Sequence, residues 1–174
     1  MEQLQSIRDL SQMGRHAEAE SAARALLTTL PQAGETVFLL AYAIHQQGRL
    51  EEAIPQYELA LRYTPMHPSA LNNLGTILRQ FGRTEEALVR FRQASVADPG
   101  KPWIWSNYAS ALEDLGHTKE ALEYLRRAAA LAPEETVLQD RLIALANGPE
   151  TAEDHIDRAA ATEAMWRLNP AIAD

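Results

Sequence analysis

The sequence predicts an all-α fold, a solenoid of antiparallel helix pairs, on three observations. Gly14, Gly48, Gly82 and Gly116 stand 34 residues apart. Ala19, Ala53, Ala87 and Ala121 keep the same interval of 34, and so do Pro31, Pro65, Pro99 and Pro133. A fixed period of this size is the mark of stacked repeats, in which each unit buries its apolar face only against its neighbours.

The elements follow from the residues around these anchors. In the third copy a helix is expected over 68–81, with Leu71, Leu74, Gly75 and Leu78 three and four apart on one face. Gly82 permits a sharp turn, because it tolerates positive φ. Thr84 is then expected as the N-cap of a second helix, with Glu85 and Glu86 in its first turn where the helix dipole favours acids. Ala87 lets the two helices approach, Phe91 and Ala94 continue the inner face, and Pro99 ends the unit.

The second copy fills the same places with Val37, Leu40, Ala41, Ile44, Ala53, Tyr57 and Ala60. Its Pro55 removes one backbone hydrogen bond just past the first turn, which predicts a slight kink rather than a break. The fourth copy has Trp105, Tyr108, Ala109, Leu112, Ala121, Leu125 and Ala128. The first copy departs, with Ser6 and Ile7 at a large–small pair and Ala23 at a large place, as expected of a terminal, capping repeat. Residues 136–146 read as one more first helix. Thr151 with Asp154 resembles a capping box that opens a helix over about 152–168, closed by Asn169-Pro170.

With this constellation over roughly residues 3–147, the chain resembles the tetratricopeptide repeat family. The resemblance implies a right-handed superhelix, with the first helix of each pair (helix A) on the concave side and the second (helix B) on the convex side. One domain is expected over 1–174, with repeats at about 1–33, 34–67, 68–101 and 102–135 and a degenerate fifth, or capping pair, over 136–170.

A groove formed by helices A is where a partner is expected. The A residues opposite the packing stripe are Glu35, Phe38, Leu39, Tyr42, His45 and Gln46, then Ser69, Asn72, Asn73, Thr76, Arg79 and Gln80. They continue with Trp103, Ser106, Asn107, Ser110, Glu113 and Asp114, and with Val137, Asp140, Arg141 and Ala144. From these the candidate partner-binding set is Tyr42, Asn72, Asn73, Thr76, Arg79, Trp103, Ser106, Asn107, Ser110 and Arg141.

Asn73 and Asn107 are 34 apart and are expected to stack one above the other. Each amide both donates and accepts, so the pair suits the backbone of an extended peptide. It is similar to the asparagine ladder of repeat domains in protein O-glycosyltransferases, cut to two rungs by Leu39 and Arg141. The alternative is that each asparagine bonds to a neighbouring helix. Phe38, Tyr42 and Trp103 are either interface anchors or, for the first two, packed on the first copy. The carboxylate clamp of chaperone-binding members needs lysines and an arginine around two asparagines; the corresponding places here hold Asn72, Thr76, Asn107, Val137 and Arg141, of which only the asparagine and the arginine fit, so chaperone tails are not expected.

Composition narrows the function. The 174 residues are 46% hydrophobic and can bury a core. A formal charge of −8 argues against nucleic acid and against an anionic membrane surface. Without cysteine there is neither a disulfide framework nor a thiolate metal site. No apolar run nears the ~18 residues of a membrane span, and MEQLQSIRDL lacks a signal-peptide layout, so a cytoplasmic location is expected.

No active site is expected either. His16, His67 and His117 fall in turns, His45 lies alone on the groove side, and His155 completes the set. No histidine pair has zinc spacing, and "GRTEEA" is a turn before a helix, not a phosphate loop. The expectation is a non-enzymatic scaffold without cofactors, binding an extended or helical segment of a partner protein. The alternative is the recognition domain of a larger glycosyltransferase, methyltransferase or sulfotransferase. Met165, Trp166 and Leu168 add a weak self-association surface if exposed.

Overall fold

The computed structural model describes residues 2–147. Among them nine helices and no strand appear. They are α1 Glu2–Gln12, α2 His16–Thr29, α3 Gly34–Gln46, α4 Leu50–Tyr63, α5 Pro68–Gln80, α6 Thr84–Ala97, α7 Pro102–Asp114, α8 Thr118–Leu131 and α9 Thr136–Ala146. Each helix contacts the next in the chain, and α1 also reaches α3, as α5 reaches α7. The odd-numbered helices are the A helices, the even-numbered ones the B helices. The result is an all-α helical repeat solenoid.

The four 34-spaced glycines close their A helices by one geometry. Gly14, Gly48, Gly82 and Gly116 have φ between 73° and 77°. At Gly82 the N–H reaches Arg79 O at 3.0 Å and the following Arg83 N–H reaches Leu78 O at 2.9 Å. That pair of bonds is a Schellman closure, and it recurs at the other three glycines. A Cβ at Gly82 would meet nothing within 4 Å, so a side chain there acts through the backbone alone. Gly82→Ala is expected to lower the unfolding free energy by about 1 kcal/mol in urea titration. Gly100→Ala, whose Cβ would meet only Asp98 Oδ1 at 3.5 Å, is expected to leave it nearly unchanged.

Thr84 is not the N-cap of α6. The cap residue is Arg83, no side chain bonds to the helix start, and Thr84 is buried as the first helical residue. Two N–H groups of Arg83 instead donate to Glu86 at 2.7 and 2.8 Å. Arg15 with Glu18 and Arg49 with Glu52 repeat the clamp, so the first-turn acids have a side-chain partner besides the dipole. Pro55 lies inside α4, which runs through it without a break.

The core is a series of small-against-large matches between A and B helices. A Cβ on Gly75 would come within 2.8 Å of the Phe91 ring. Ala41 with Tyr57, and Ala109 with Leu125, hold the equivalent places, and all are buried. In the first repeat the sizes are exchanged: Ile7 is 1% exposed and Ala23 0%. The departure seen in the sequence is therefore a compensated swap that keeps the volume filled.

A helices bury more than the single stripe the spacing predicts. Thr36, Ala43, Ala70, Ile77, Ile104 and Ala111 are buried as well. Each A helix after the first is covered by the preceding B helix in addition to its own, so two faces leave the solvent. Leu39 and Asn72, expected in the groove, are buried too, Leu39 beside Arg8, Ser11 and Gln12 of α1 and Asn72 bonded to Asn107 of α7. At the far end α9 has Leu138 buried, with Val137 and Ile143 exposed. The helix expected over 152–168, with its Thr151–Asp154 box, Asn169-Pro170 and Met165, Trp166 and Leu168, lies outside the described residues.

Candidate functional site: the A-helix groove

The polar groove residues are joined in a row of hydrogen bonds that crosses three repeats. Asn107 Nδ2 donates to Asn72 Oδ1 at 2.9 Å, and Asn72 Nδ2 to Asn73 Oδ1 at 3.4 Å. Asn73 Nδ2 donates to the Tyr57 hydroxyl at 3.2 Å, which lies 3.1 Å from His45 Nδ1. In the His45 tautomer protonated at Nε2, Nδ1 accepts the Tyr57 proton. In that tautomer the row runs in one direction, from Asn107 as first donor to His45 as last acceptor. Burial holds the His45 imidazole below its usual pKa and raises that of the Tyr57 phenol, which keeps both neutral.

Asn107 therefore meets Asn72, not Asn73. The same diagonal joins Arg141 to Ser106 and Arg79 to Asp114, each pair 35 residues apart. Residues 34 apart are equivalent in the repeat, while those 35 apart are neighbours across it. The stack advances by one position per repeat. Arg141 also donates to Ser110 Oγ at 2.9 Å and to Glu113 Oε1 at 2.7 Å. Thr76 and Ser110 turn their hydroxyls back to Asn72 O and Ser106 O of their own helices.

The aromatic residues separate. Trp103 is 37% exposed at the start of α7. Phe38 is half-buried against the core and lies 4.2 Å, centroid to centroid, from the His67 ring. Tyr42 is half-buried, 6.2 Å from Phe38 and edge-on to His16 at 6.3 Å.

The polar roles of Tyr57 and Glu20 are not foreseen from the sequence. Tyr57 occupies the place held by Phe91 and Leu125, and its hydroxyl was the signal that it carries a polar link as well as core volume. Glu20, on α2, is buried and accepts from Arg24, Gln47 and Arg49, which ties α2 to the α3–α4 turn. Burial pushes its carboxyl upward, but the three donors outweigh it and hold it below the usual range.

Glu35 joins three A helices. His67 Nδ1 accepts the Ala70 N–H as the cap of α5, so its Nε2–H donates to Glu35, at 3.1 Å. Arg8 donates to the other oxygen at 2.9 Å. The His67 hydrogen bond, with Arg8 adding to it against burial, brings the Glu35 carboxyl down to about 2. A lowered carboxylate stabilises the fold above its unfolded pKa of about 4.3 and loses that contribution as pH falls toward 2. With 35% of the side chain exposed, solvent screening leaves about 1 kcal/mol of this. Glu35→Gln is therefore expected to shrink the stability difference between pH 7 and pH 3 by about that much in urea titrations.

Among the described residues, no helix is long and apolar enough to cross a membrane, and no group of three or more His, Asp or Glu is placed to hold a metal ion.

Comparison with curated protein sequences gives no match. Solved structures do superpose. A thermophilic TPR protein of Thermus thermophilus has a TM-score of 0.68 at 21% identity, over 82% of this chain and 79% of that one. MamA from Desulfovibrio magneticus RS-1, from residue 41 to its end, has a TM-score of 0.71 at 18% identity, over 98% of this chain and 97% of that one. A further MamA crystal structure gives 0.68 at 17% identity, over 77% of this chain and 78% of that one. At these identities the likeness speaks for the fold. The family profile described as Tetratricopeptide repeat matches residues 1–147. That match, with the 34-residue period and the paired helices, means that the chain belongs to the tetratricopeptide repeat family.

Proposed function

We propose that the chain is a protein-interaction scaffold that holds an extended or helical segment of a partner protein along its A-helix groove. The observation that carries this reading is the cross-repeat row of half-exposed, uncharged hydrogen-bonding side chains, Asn73, Ser106, Asn107 and Ser110, beside the exposed Trp103. A primary amide has two N–H groups and a carbonyl, and the bond from Asn107 to Asn72 uses one N–H. The rest of that amide is suited to a ligand backbone. Trp103 supplies the kind of aromatic anchor that concentrates binding energy. Repeats of this family are in general scaffolds rather than catalysts, and the proposal gives this chain no reaction, cofactor or nucleic-acid partner.

The test is affinity capture from host lysate with wild type beside a Trp103→Ala/Asn73→Ala/Asn107→Ala variant, both checked for helicity by circular dichroism. The expected result is a protein retained by wild type and reduced at least tenfold with the variant. Equal retention by both moves binding off the groove and sinks the reading.

A further inference from the structure

Resting on that reading, we infer that the groove selects a segment without net charge, one of whose side chains, of phenylalanine or leucine size, seats in a pocket between α1 and α3. The pocket is a cavity of about 180 Å³ lined by Arg8, Ser11, Gln12, Phe38, Leu39 and Tyr42. Its walls are mostly apolar. An apolar cavity of about 150 Å³ is enough to take a benzene ring.

The walls are fixed before any ligand arrives. The Phe38 ring is backed by His67 at 4.2 Å, and Tyr42 is met edge-on by His16 at 6.3 Å. Leu39 is buried beneath them. Pre-fixed walls spare the ligand the cost of ordering them. A third aromatic ring laid against Phe38 and Tyr42 gains the tilted and edge-on contacts that such rings favour.

Charge decides the rest of the segment. The groove cations already carry acids from an adjacent repeat: Arg8 with Glu35, Arg79 with Asp114 and Arg141 with Glu113. An acidic ligand would have to displace one of these carboxylates, and a basic ligand one of the guanidiniums. The exchange gives little net gain. Asp140, at the far end from the pocket, is the remaining groove charge among the positions described. Between the pocket and that end stand Asn73, Thr76, Ser106, Asn107 and Ser110, which recognise backbone and uncharged polar groups.

The experiment is selection of the full chain against a random dodecapeptide display library, followed by titration of the enriched peptides made synthetically. Expected are peptides of net charge near zero with one Phe, Leu, Met or Trp at a fixed position. Their Kd should change less than about threefold between roughly 50 and 500 mM NaCl, since unpaired charge is what salt screens. Tyr42→Ala, and Gln12→Trp at the exposed rim, should each weaken them at least tenfold. Gln12 is exposed, so Gln12→Trp keeps the test readable if Tyr42→Ala unfolds.

Enrichment of acidic or basic peptides with steep salt dependence would overturn the inference. So would neutral peptides that lose affinity in Asn107→Ala but ignore both pocket variants; that outcome leaves the groove reading standing. Peptides that ignore Asn107→Ala, Trp103→Ala and both pocket variants, or no enrichment at all, overturn the groove reading together with the pocket.

Discussion

Phe91→Ala is expected to lower the unfolding free energy by about 3–5 kcal/mol, measured by urea titration with hydrogen exchange on α5 and α6. The ring is 0% exposed and sits at the middle of the stack, with Gly75 directly beneath it. Removing it leaves a cavity that the two helices cannot close, because the neighbouring repeats hold both in place. In a linear array the damage does not stay in one unit. The third repeat loses its own A–B packing and weakens both of its interfaces, so the remaining repeats lose their link. The unfolding transition should broaden, with exchange fastest in α5 and α6.

The same site contains a sharper test. Gly75→Ala alone has two opposed effects. Alanine gains about 1 kcal/mol over glycine inside a helix. Its Cβ, however, meets Phe91 atoms at 2.8, 3.0 and 3.0 Å, and overpacking of this kind costs about 1–3 kcal/mol. The ring is buried between backbones and has nowhere to move, so the net effect is expected to be destabilising by about 1 kcal/mol. In the Phe91→Ala background the clash is gone, the propensity gain remains and the methyl fills part of the hole. Gly75→Ala should then stabilise. A change of sign, with a coupling of about 2 kcal/mol in the double-mutant cycle, is the expected result. Additive effects would mean that Gly75 is not small on account of Phe91.

Residue identity made the fold legible where sterics left few choices. A backbone at φ near +75° calls for glycine, and a B helix closing on its A helix calls for alanine at 53, 87 and 121. Those demands recur with every repeat, so they appear as a period. The groove was less legible, because the period names equivalent residues and not adjacent ones. Asn73 and Asn107 are equivalent, yet the side chain that meets Asn107 is Asn72. The offset of one position per repeat belongs to the superhelix, and no spacing within one repeat contains it. Burial of Leu39 and Asn72 was hidden in the same way, since both meet A helices of adjacent repeats. At Ile7 and Ala23 the sequence signal was present but reads as disorder in the pattern until the two are seen as partners. Thr84 had a good cap residue's chemistry, but the helix starts one residue earlier, at Thr84 itself, with Arg83 at the cap and clamped to Glu86.

Tyr57→Phe is expected to cost about 2 kcal/mol at pH 7, although it leaves the packed ring in place. The hydroxyl is the node between the groove and the core, accepting from Asn73 at 3.2 Å and facing His45 Nδ1 at 3.1 Å. Its loss strands one donor and one acceptor, and a buried polar group left without a partner costs about 1–3 kcal/mol. Asn73 is only half-buried, and water there offsets part of the loss, which sets the estimate below the sum for two buried groups. The penalty should also depend on pH. His45 accepts only while neutral, and burial lowers its pKa in the fold. The unfolded chain then binds the proton more readily, so stability falls as pH drops from about 6.5 through the folded value. A protonated His45 can no longer take the Tyr57 proton, so the wild type loses below that point what the variant never had. The gap between Tyr57→Phe and wild type, measured by urea titration, should therefore narrow toward low pH. Asn73, freed from its fixed acceptor, also no longer orients Asn72 and Asn107, and a peptide that binds through Asn107 should weaken severalfold with the fold intact. A gap that stays constant with pH would mean that the tyrosine donates elsewhere, and that His45 ends no relay.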